Sequence, residues 1–180
     1  MPGLAREIVV DRDRRLYQCR RRPAPGAAFV EVRRTPEQGS AHYCNLEVCS
    51  RVWTCPCCAG RISNERRKEL SDALAAAKLK GYFPILVTYT LRHDWRDNLS
   101  DLLNGLKASL RKFKSGRAYQ DIKSEYSVLG GIRALENTYG ENGWHPHIHE
   151  LMFLEKPISG MELSGLQKWL ADRWIESLRS

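Results

Sequence analysis

The stretch HPHIHELMFL at residues 145–154 decides how the sequence is interpreted. It predicts a β-strand, and alternate residues of a strand point to one face, so all three of its histidines are expected to project together. The segment SVLGGIRALEN at residues 127–137 predicts a second strand, joined to the first by the turn TYGENGW. Antiparallel pairing would bring Glu136, the only acid of that strand, beside the histidines, but the sequence does not fix the register.

Imidazoles and a carboxylate on one face form a metal-ligand set. Two imidazoles and one carboxylate, with positions left for water or phosphate, suit a divalent cation such as Mn²⁺ or Mg²⁺. We therefore predict a metal site on the histidine strand. The same ligand set also fits a 2-His-1-carboxylate iron oxygenase, which is the main chemical alternative.

Cysteine usage points to a second metal. Five of the six cysteines lie within fifteen residues, in YCNLEVCSRVWTCPCCAGRI at residues 43–62. In a reducing cytosol such a cluster indicates a metal site before it indicates disulfides, and its C-x-x-C knuckle lets two thiolates reach one zinc ion. Cys49, Cys55 and Cys58 supply three of the four ligands that Zn²⁺ requires. The fourth comes from one of three residues: Cys19, Cys44 or His42.

Basic residues are concentrated in the first part of the chain. The net charge is +8, and residues 1–80 hold 16 Lys and Arg against 9 Asp and Glu. This surplus favours a polyanionic partner, and the planar arginine side chain suits phosphate contacts. We predict that a nucleic-acid backbone lies on the following residues: Arg20, Arg21, Arg22, Arg33, Arg34, Arg66, Arg67 and Lys68.

Length and hydropathy limit the class of protein. The chain of 180 residues is 42% hydrophobic and 28% charged, enough for one domain with a small appendage. No apolar run approaches the roughly 18–20 residues of a membrane span. Charges also come too early for the apolar core of a signal peptide. The sequence therefore predicts a cytoplasmic protein with no membrane partner.

The hydrophobic pattern predicts an α+β fold. Helices are expected at residues 60–80, 99–114 and 161–178. From residue 84 the order is β-α-β-β-α, an antiparallel sheet with helices that is one strand short of a ferredoxin-like split βαβ core. A basic β segment with the zinc knuckle (1–60) precedes the helix and core (61–180). Strands other than the hairpin are predicted at 5–10, 15–19 and 28–34 and, as a central strand, at 84–91.

Three segments resemble one family. RALENTYGENGWHPHIHELMFL (133–154) closely resembles the second motif of the rolling-circle replication initiators, the Rep proteins of the HUH endonuclease superfamily. LVTYTLRH (86–93) is similar to their first motif, a T-x-T-x-x-H strand. VCSRVWTCPCCAGRI (48–62) resembles the C-x-x-x-W-x-C-P-x-C-A stretch of plasmid Rep proteins of the actinobacterial type. The resemblance covers residues 16–154 and implies an HUH core.

The resemblance also implies specific ligands. For the divalent cation these are His147, His149 and Glu136, with His145 as an alternative ligand or a supporting group. A cysteine upstream of the knuckle in such relatives is matched here by Cys19. The zinc set implied is therefore Cys19, Cys49, Cys55 and Cys58, with Cys44 as the alternative.

The family reaction implied is metal-assisted attack by a tyrosine on origin DNA. It leaves a 5′-phosphotyrosine and a 3′-hydroxyl primer, with single-stranded or hairpin DNA, a host helicase and a polymerase as partners. The catalytic tyrosine of relatives lies downstream of the histidine motif, whereas no tyrosine follows Tyr139 here. We therefore expect a truncated initiator, a fragment, or a short relative that does not nick. The alternative function is a non-catalytic zinc-containing DNA-binding module or regulator.

Overall fold

Two compact units make up the chain, with their boundary between Asp72 and Ala73. The computed structural model describes residues 14–35 and 39–179, so the strand predicted at 5–10 lies outside the described residues. Among the described residues, no helix is both long enough and apolar enough to cross a membrane.

The first unit contains a short helix and a two-stranded hairpin. Helix α1 covers Arg14–Gln18, and strands β1 (Glu31–Thr35) and β2 (Ser40–Cys44) pair antiparallel. The strand predicted at 15–19 is therefore wrong. The helix and the turn that follows it bring Leu16 and Cys19, three residues apart, to one side, where both are buried with the other cysteines. A strand would point these two side chains to opposite faces.

Helix α2 (Pro56–Leu79) begins inside the cysteine knuckle, four residues before the predicted start at residue 60. Proline is favoured at the first position of a helix, where no backbone N–H is needed. The early start places Cys58 in the first helical turn. The helix ends before Gly81, as predicted, because Gly81 adopts a φ of +75° that other residues rarely take.

The second unit is an antiparallel sheet with helices, which confirms the predicted α+β class. Its strands β3 (Phe83–Thr90), β4 (Val128–Gly140) and β5 (Gly143–Leu154) lie in the order β3-β5-β4, and β5 pairs antiparallel with both neighbours. The outer strands are therefore parallel to each other with β5 between them, as in a split βαβ unit. The elements in chain order are β3 (Phe83–Thr90), α3 (Leu99–Phe113), α4 (Gly116–Glu125), β4 (Val128–Gly140), β5 (Gly143–Leu154) and α5 (Gly160–Leu178).

The prediction of a central strand at 84–91 is wrong for the described sheet, in which β3 is an outer strand. Its side chains alternate between the two faces of the sheet. Tyr89 is 2% exposed, whereas Leu86 on the other face is 67% exposed. The apolar run suggested burial on both faces, but only one face of β3 is covered.

The core lies on the sheet face opposite the histidines. Tyr89 and Ile148 of the sheet pack with Leu106 and Phe113 of α3 and with Leu166 of α5. The ring centroids of Tyr89 and Phe113 are 5.2 Å apart, an edge-to-face contact. This packing fixes β3 and β5 side by side and leaves their other face to carry polar side chains.

Candidate metal centres

The β4–β5 hairpin brings a carboxylate to two histidines. Glu136 lies directly opposite His147 in the strand register. Its Oε2 atom is 3.3 Å from Nε2 of His147 and 3.4 Å from Nε2 of His149. The structure thus brings together the three residues that were predicted to share a divalent cation. The sequence did not determine the register of the two strands, and the observed register places Glu136 beside both histidines.

The spacing of these three atoms fits a metal. Neighbouring ligands at about 2.1 Å from an octahedral cation are about 3 Å apart. The observed 3.3 and 3.4 Å are close to that value. The side chain of His147 is 14% exposed and that of Glu136 is 53% exposed, so one side of the set faces solvent. A cation held here would have open positions for water or phosphate.

The remaining imidazole nitrogens also have partners. Nδ1 of His147 is 3.2 Å from the backbone carbonyl of His145. Nδ1 of His149 is 2.9 Å from Oγ1 of Thr88 on β3. Each ring is therefore held through Nδ1, and Nε2 is turned towards Glu136. In metal sites this outer hydrogen bond fixes the ring orientation.

His145, predicted as an alternative ligand, lies outside the set of three. Its ring centroid is 4.5 Å from that of His93 and 5.1 Å from that of His147. Burial, followed by the neighbouring His93 and His147, lowers the pKa of His145. His145 therefore contacts the other histidines through its carbonyl and its ring. The contact with His93 was not predicted, although the T-x-T-x-x-H spacing marked that residue.

Four cysteines of the first unit converge on one point. The Sγ atoms of Cys19 and Cys58 are 3.5 Å apart, those of Cys49 and Cys58 are 3.6 Å apart, and those of Cys19 and Cys55 are 3.7 Å apart. Four thiolates at about 2.3 Å from one tetrahedral zinc ion would lie about 3.8 Å from one another. All four side chains are at most 4% exposed. The arrangement thus has the size, donor type and burial of a closed structural zinc site.

Backbone pairing holds the two ligand-bearing loops together. The N–H of Arg20 donates to the carbonyl of Glu47 at 2.7 Å, and the N–H of Glu47 donates to the carbonyl of Arg22 at 3.0 Å. The buried Glu47 carboxylate also pairs with the Arg22 guanidinium. Arg20 and Ser50, which directly follow Cys19 and Cys49, have φ values of +57° and +55°. These sharp turns direct both thiols inward.

The other predicted zinc ligands lie elsewhere. Cys44 is half-buried, His42 is exposed on β2, and neither belongs to the group of four. Cys57 is exposed in the first turn of α2. Of the alternatives that the sequence left open for the fourth ligand, the structure brings only Cys19 to the other three thiols.

Three of the four thiols have shifted pKa values. Burial raises the pKa of Cys19 to about 12 and also raises the pKa of Cys49. At Cys55 burial acts in the same direction. There, hydrogen bonds from the Cys58 backbone and from the other three thiols outweigh burial and lower the pKa to about 7. A cation bound here would displace protons, because metal ligation requires thiolates.

The eight basic residues predicted to contact DNA fall into two groups. Several are neutralised by acids: Arg22 pairs with Glu47, Arg33 with Glu31, Arg66 with Glu69, and Lys68 with Glu65. Others are exposed, and no salt bridge is found for them among the described residues. These are Arg20, Arg21, Arg34 and Arg67. Arg21 also stacks on the ring of Tyr17, at 4.5 Å from its centroid.

Known proteins are similar in sequence to most of this chain. A family profile described as "Replication protein" matches residues 41–171. The chain is 31% identical to the "Neomycin resistance protein" of Streptomyces cyanogenus, over 86% of this chain and 43% of that protein. It is 32% identical to "Protein rep" of Streptomyces lividans, over 73% of this chain and 34% of that protein. It is 28% identical to "Protein rep" of a Bacillus species, over 85% and 48%.

The chain thus spans between about a third and a half of the length of these relatives. No solved structure matches it significantly.

Proposed function

The chain belongs to the family of replication proteins, and from that premise we propose that it is an initiator of the rolling-circle type, which binds origin DNA and a divalent cation. Membership confirms the resemblance to Rep proteins that the motifs indicated. The observation that best supports the mechanism is the convergence of Glu136, His147 and His149.

The three side chains have distinct tasks in this proposal. His147 and His149 would each offer a nitrogen lone pair at Nε2, while Glu136 would supply one negative charge. A bound Mn²⁺ or Mg²⁺ would keep a net positive charge and would polarise a scissile phosphate. Because Glu136 and His149 are partly exposed, a DNA strand can approach from the open face of the sheet.

The attacking tyrosine of a rolling-circle reaction is not assigned within these residues. The Tyr89 hydroxyl donates to Glu150 at 3.0 Å on the buried face, where burial raises its pKa. Burial also raises the pKa of Tyr119 to about 12. Neither phenol is suited to nucleophilic attack, which favours the anion. We expect the 180-residue chain to bind metal and DNA without cutting a strand.

A strand-scission assay tests this expectation. The chain is incubated with Mn²⁺ and end-labelled single-stranded origin DNA, and the products are resolved under denaturing conditions. We expect intact DNA, and a covalent protein–DNA adduct would contradict the proposal that this chain does not nick. In parallel, Mn²⁺ binding is followed by electron paramagnetic resonance. The variant His147→Ala/His149→Ala should lose binding, whereas His42→Ala on β2 should retain it.

We further propose a structural Zn²⁺ at Cys19, Cys49, Cys55 and Cys58. The thiol spacing and the near-complete burial support it. Elemental analysis after dialysis against EDTA should find about one tightly held zinc per chain, because closed thiolate sites release metal slowly. A metal-free, folded protein after this treatment would refute the proposal.

DNA binding is proposed for the exposed arginines of the first unit. Each phosphate contact releases counterions, so the logarithm of the binding constant falls linearly with the logarithm of the salt concentration. The slope of this line, the salt slope, is proportional to the number of phosphate contacts. Replacing Arg20, Arg21, Arg34 or Arg67 by Gln should lower the salt slope by about 1 per lost contact. Arg117→Gln in α4, a side chain paired with Asp121, is the matched control. An unchanged slope in all four variants would rule out this surface.

An iron oxygenase uses the same ligand types, so it is the second candidate function for the site formed by Glu136, His147 and His149. The exposed arginines of the first unit argue against an iron oxygenase, because an enzyme that oxidises a small molecule needs no basic surface. Loading the chain anaerobically with Fe²⁺ and adding a 2-oxo acid and O₂ tests this candidate. We expect no turnover of the 2-oxo acid. Turnover would make the iron oxygenase the better supported function of this site.

A further inference from the structure

Thr88 on β3 contacts the divalent site without belonging to its ligand set. The β3–β5 register places Thr88 directly opposite His149, and Oγ1 of Thr88 is 2.9 Å from Nδ1 of His149. We propose that Thr88 is a positioning residue, whose hydroxyl accepts a hydrogen bond from His149 Nδ1–H and so keeps the Nε2 lone pair turned towards Glu136. This inference rests on the proposed function, since it requires that Glu136, His147 and His149 bind a cation.

The chemistry of imidazole makes this hydrogen bond consequential. A neutral ring carries one proton, and the nitrogen that carries it cannot ligate a metal. An acceptor at Nδ1 stabilises the Nδ1–H tautomer and leaves Nε2 free for the cation. Metal-ligating histidines usually donate their other N–H to such an outer partner. Thr88 therefore selects the tautomer that the site needs, as well as the angle of the ring.

The two histidines depend on different kinds of partner. Nδ1 of His147 meets the backbone carbonyl of His145, which is present whatever side chain stands there. Nδ1 of His149 meets a side chain, so a single substitution can remove its acceptor. The strand geometry supports the contact, because residues directly opposite on antiparallel strands have Cβ atoms about 5 Å apart. The branched Thr88 side chain also has few rotamers to lose.

Substitutions at two threonines separate this role from general packing. Thr88→Val keeps the shape and strand preference and removes the acceptor, while Thr88→Ser keeps the hydroxyl. Thr90→Val is the matched control, because Thr90 lies on the same face two residues further along, opposite His147. We expect Thr88→Val to weaken Mn²⁺ binding by about 10- to 100-fold, with Thr88→Ser and Thr90→Val close to the wild type.

A second readout requires no metal. Long-range ¹H–¹⁵N spectra of the metal-free protein report which nitrogen of His149 carries the proton. We expect a smaller fraction of the Nδ1–H tautomer in Thr88→Val than in the wild type, Thr88→Ser and Thr90→Val, because the Glu136 carboxylate 3.4 Å from Nε2 then favours the Nε2–H tautomer. Backbone spectra of the same samples verify that every variant is folded.

The outcomes separate the inference from the proposed function. Unchanged Mn²⁺ affinity or an unchanged His149 tautomer in Thr88→Val would overturn the role of Thr88. If His147→Ala/His149→Ala also binds Mn²⁺ like the wild type, then the metal site itself is wrong. If that double variant loses binding while Thr88→Val does not, only the positioning role fails.

Discussion

At the scale of single residues, Glu136 is the one charged ligand of the proposed divalent site. Its carboxylate faces both imidazoles, and 53% of the side chain is exposed. Glu136→Gln keeps the size and removes the charge that attracts a hard cation. We expect Mn²⁺ binding to weaken at least about tenfold, measured by titration with electron paramagnetic resonance.

The control for this substitution lies in the same hairpin. Glu141 occupies the turn between β4 and β5 and is exposed. Glu141→Gln makes the same chemical change outside the ligand set, so Mn²⁺ affinity should not change. Equal losses in both variants would mean that the surface charge of the hairpin attracts the ion, and that Glu136 is no ligand.

A buried ion pair supports the strand behind the histidines. Glu150 is 4% exposed on the covered face of β5, where Lys114 and the Tyr89 hydroxyl donate to it. Removing one partner of a buried pair leaves an unpaired charge. We expect Lys114→Met to lower the free energy of unfolding by about 3 kcal/mol in urea titrations, at the low end of such effects because the Lys114 side chain is 22% exposed.

Two further variants check the cause. Glu150→Gln in the Lys114→Met background removes the unpaired charge and should restore part of the lost stability. Lys107→Met on the exposed side of α3 should have little effect. If the double variant were no more stable than Lys114→Met alone, the loss would have to come from packing.

At the scale of secondary-structure elements, α5 begins with a complete capping box. The Ser159 hydroxyl accepts from the backbone N–H of Glu162, and the Glu162 carboxylate accepts from the N–H of Ser159 at 2.7 Å. Ser159→Ala should lower the free energy of unfolding by about 1 kcal/mol. Ser164→Ala within the same helix should be close to neutral. A larger loss for Ser164→Ala would contradict the assignment of the cap.

Periodic elements were predictable from sequence. Leu102, Leu106, Leu110 and Phe113 recur at helical spacing, and the helix that they predict is confirmed as α3 with these four residues buried. The two strands of the hairpin are also confirmed. They extend further than expected, since pairing continues to Gly140 opposite Gly143 and leaves a two-residue turn. The alternation of histidines therefore indicated their shared face correctly.

Other elements lacked a local signal. Helix α4 was not predicted, because its ten residues are mostly polar and only Tyr119 is buried. Strand β2 was missed for a similar reason, since most of its side chains are exposed. Helix α1 was misread as a strand, because Leu16 and Cys19 are buried by cysteines that lie thirty or more residues away in the chain. Such contacts are set by tertiary structure, which local periodicity does not encode.

At the scale of the whole molecule, the two units have cores of different kinds. The second unit buries aromatic and aliphatic side chains, among them Tyr89, Phe113 and Leu166. The buried cluster of the first unit consists of Leu16 and the four converging cysteines. The few apolar side chains buried among its described residues cannot offset the conformational entropy of an ordered unit. The first unit should therefore depend on the proposed zinc ion, and the second should not.

Loss of the proposed zinc ion should then unfold the first unit selectively. In Cys58→Ser, or after treatment with a strong chelator, we expect amide hydrogen exchange in residues 14–72 to rise to the rate of an unfolded chain. Exchange in β3 and β5 should stay slow, because their core contains no cysteine. Cys57→Ser, the neighbouring exposed cysteine, is the control and should leave exchange unchanged. Slow exchange throughout residues 14–72 in Cys58→Ser would show that the first unit folds without metal, and fast exchange in β5 as well would show that the two units unfold together.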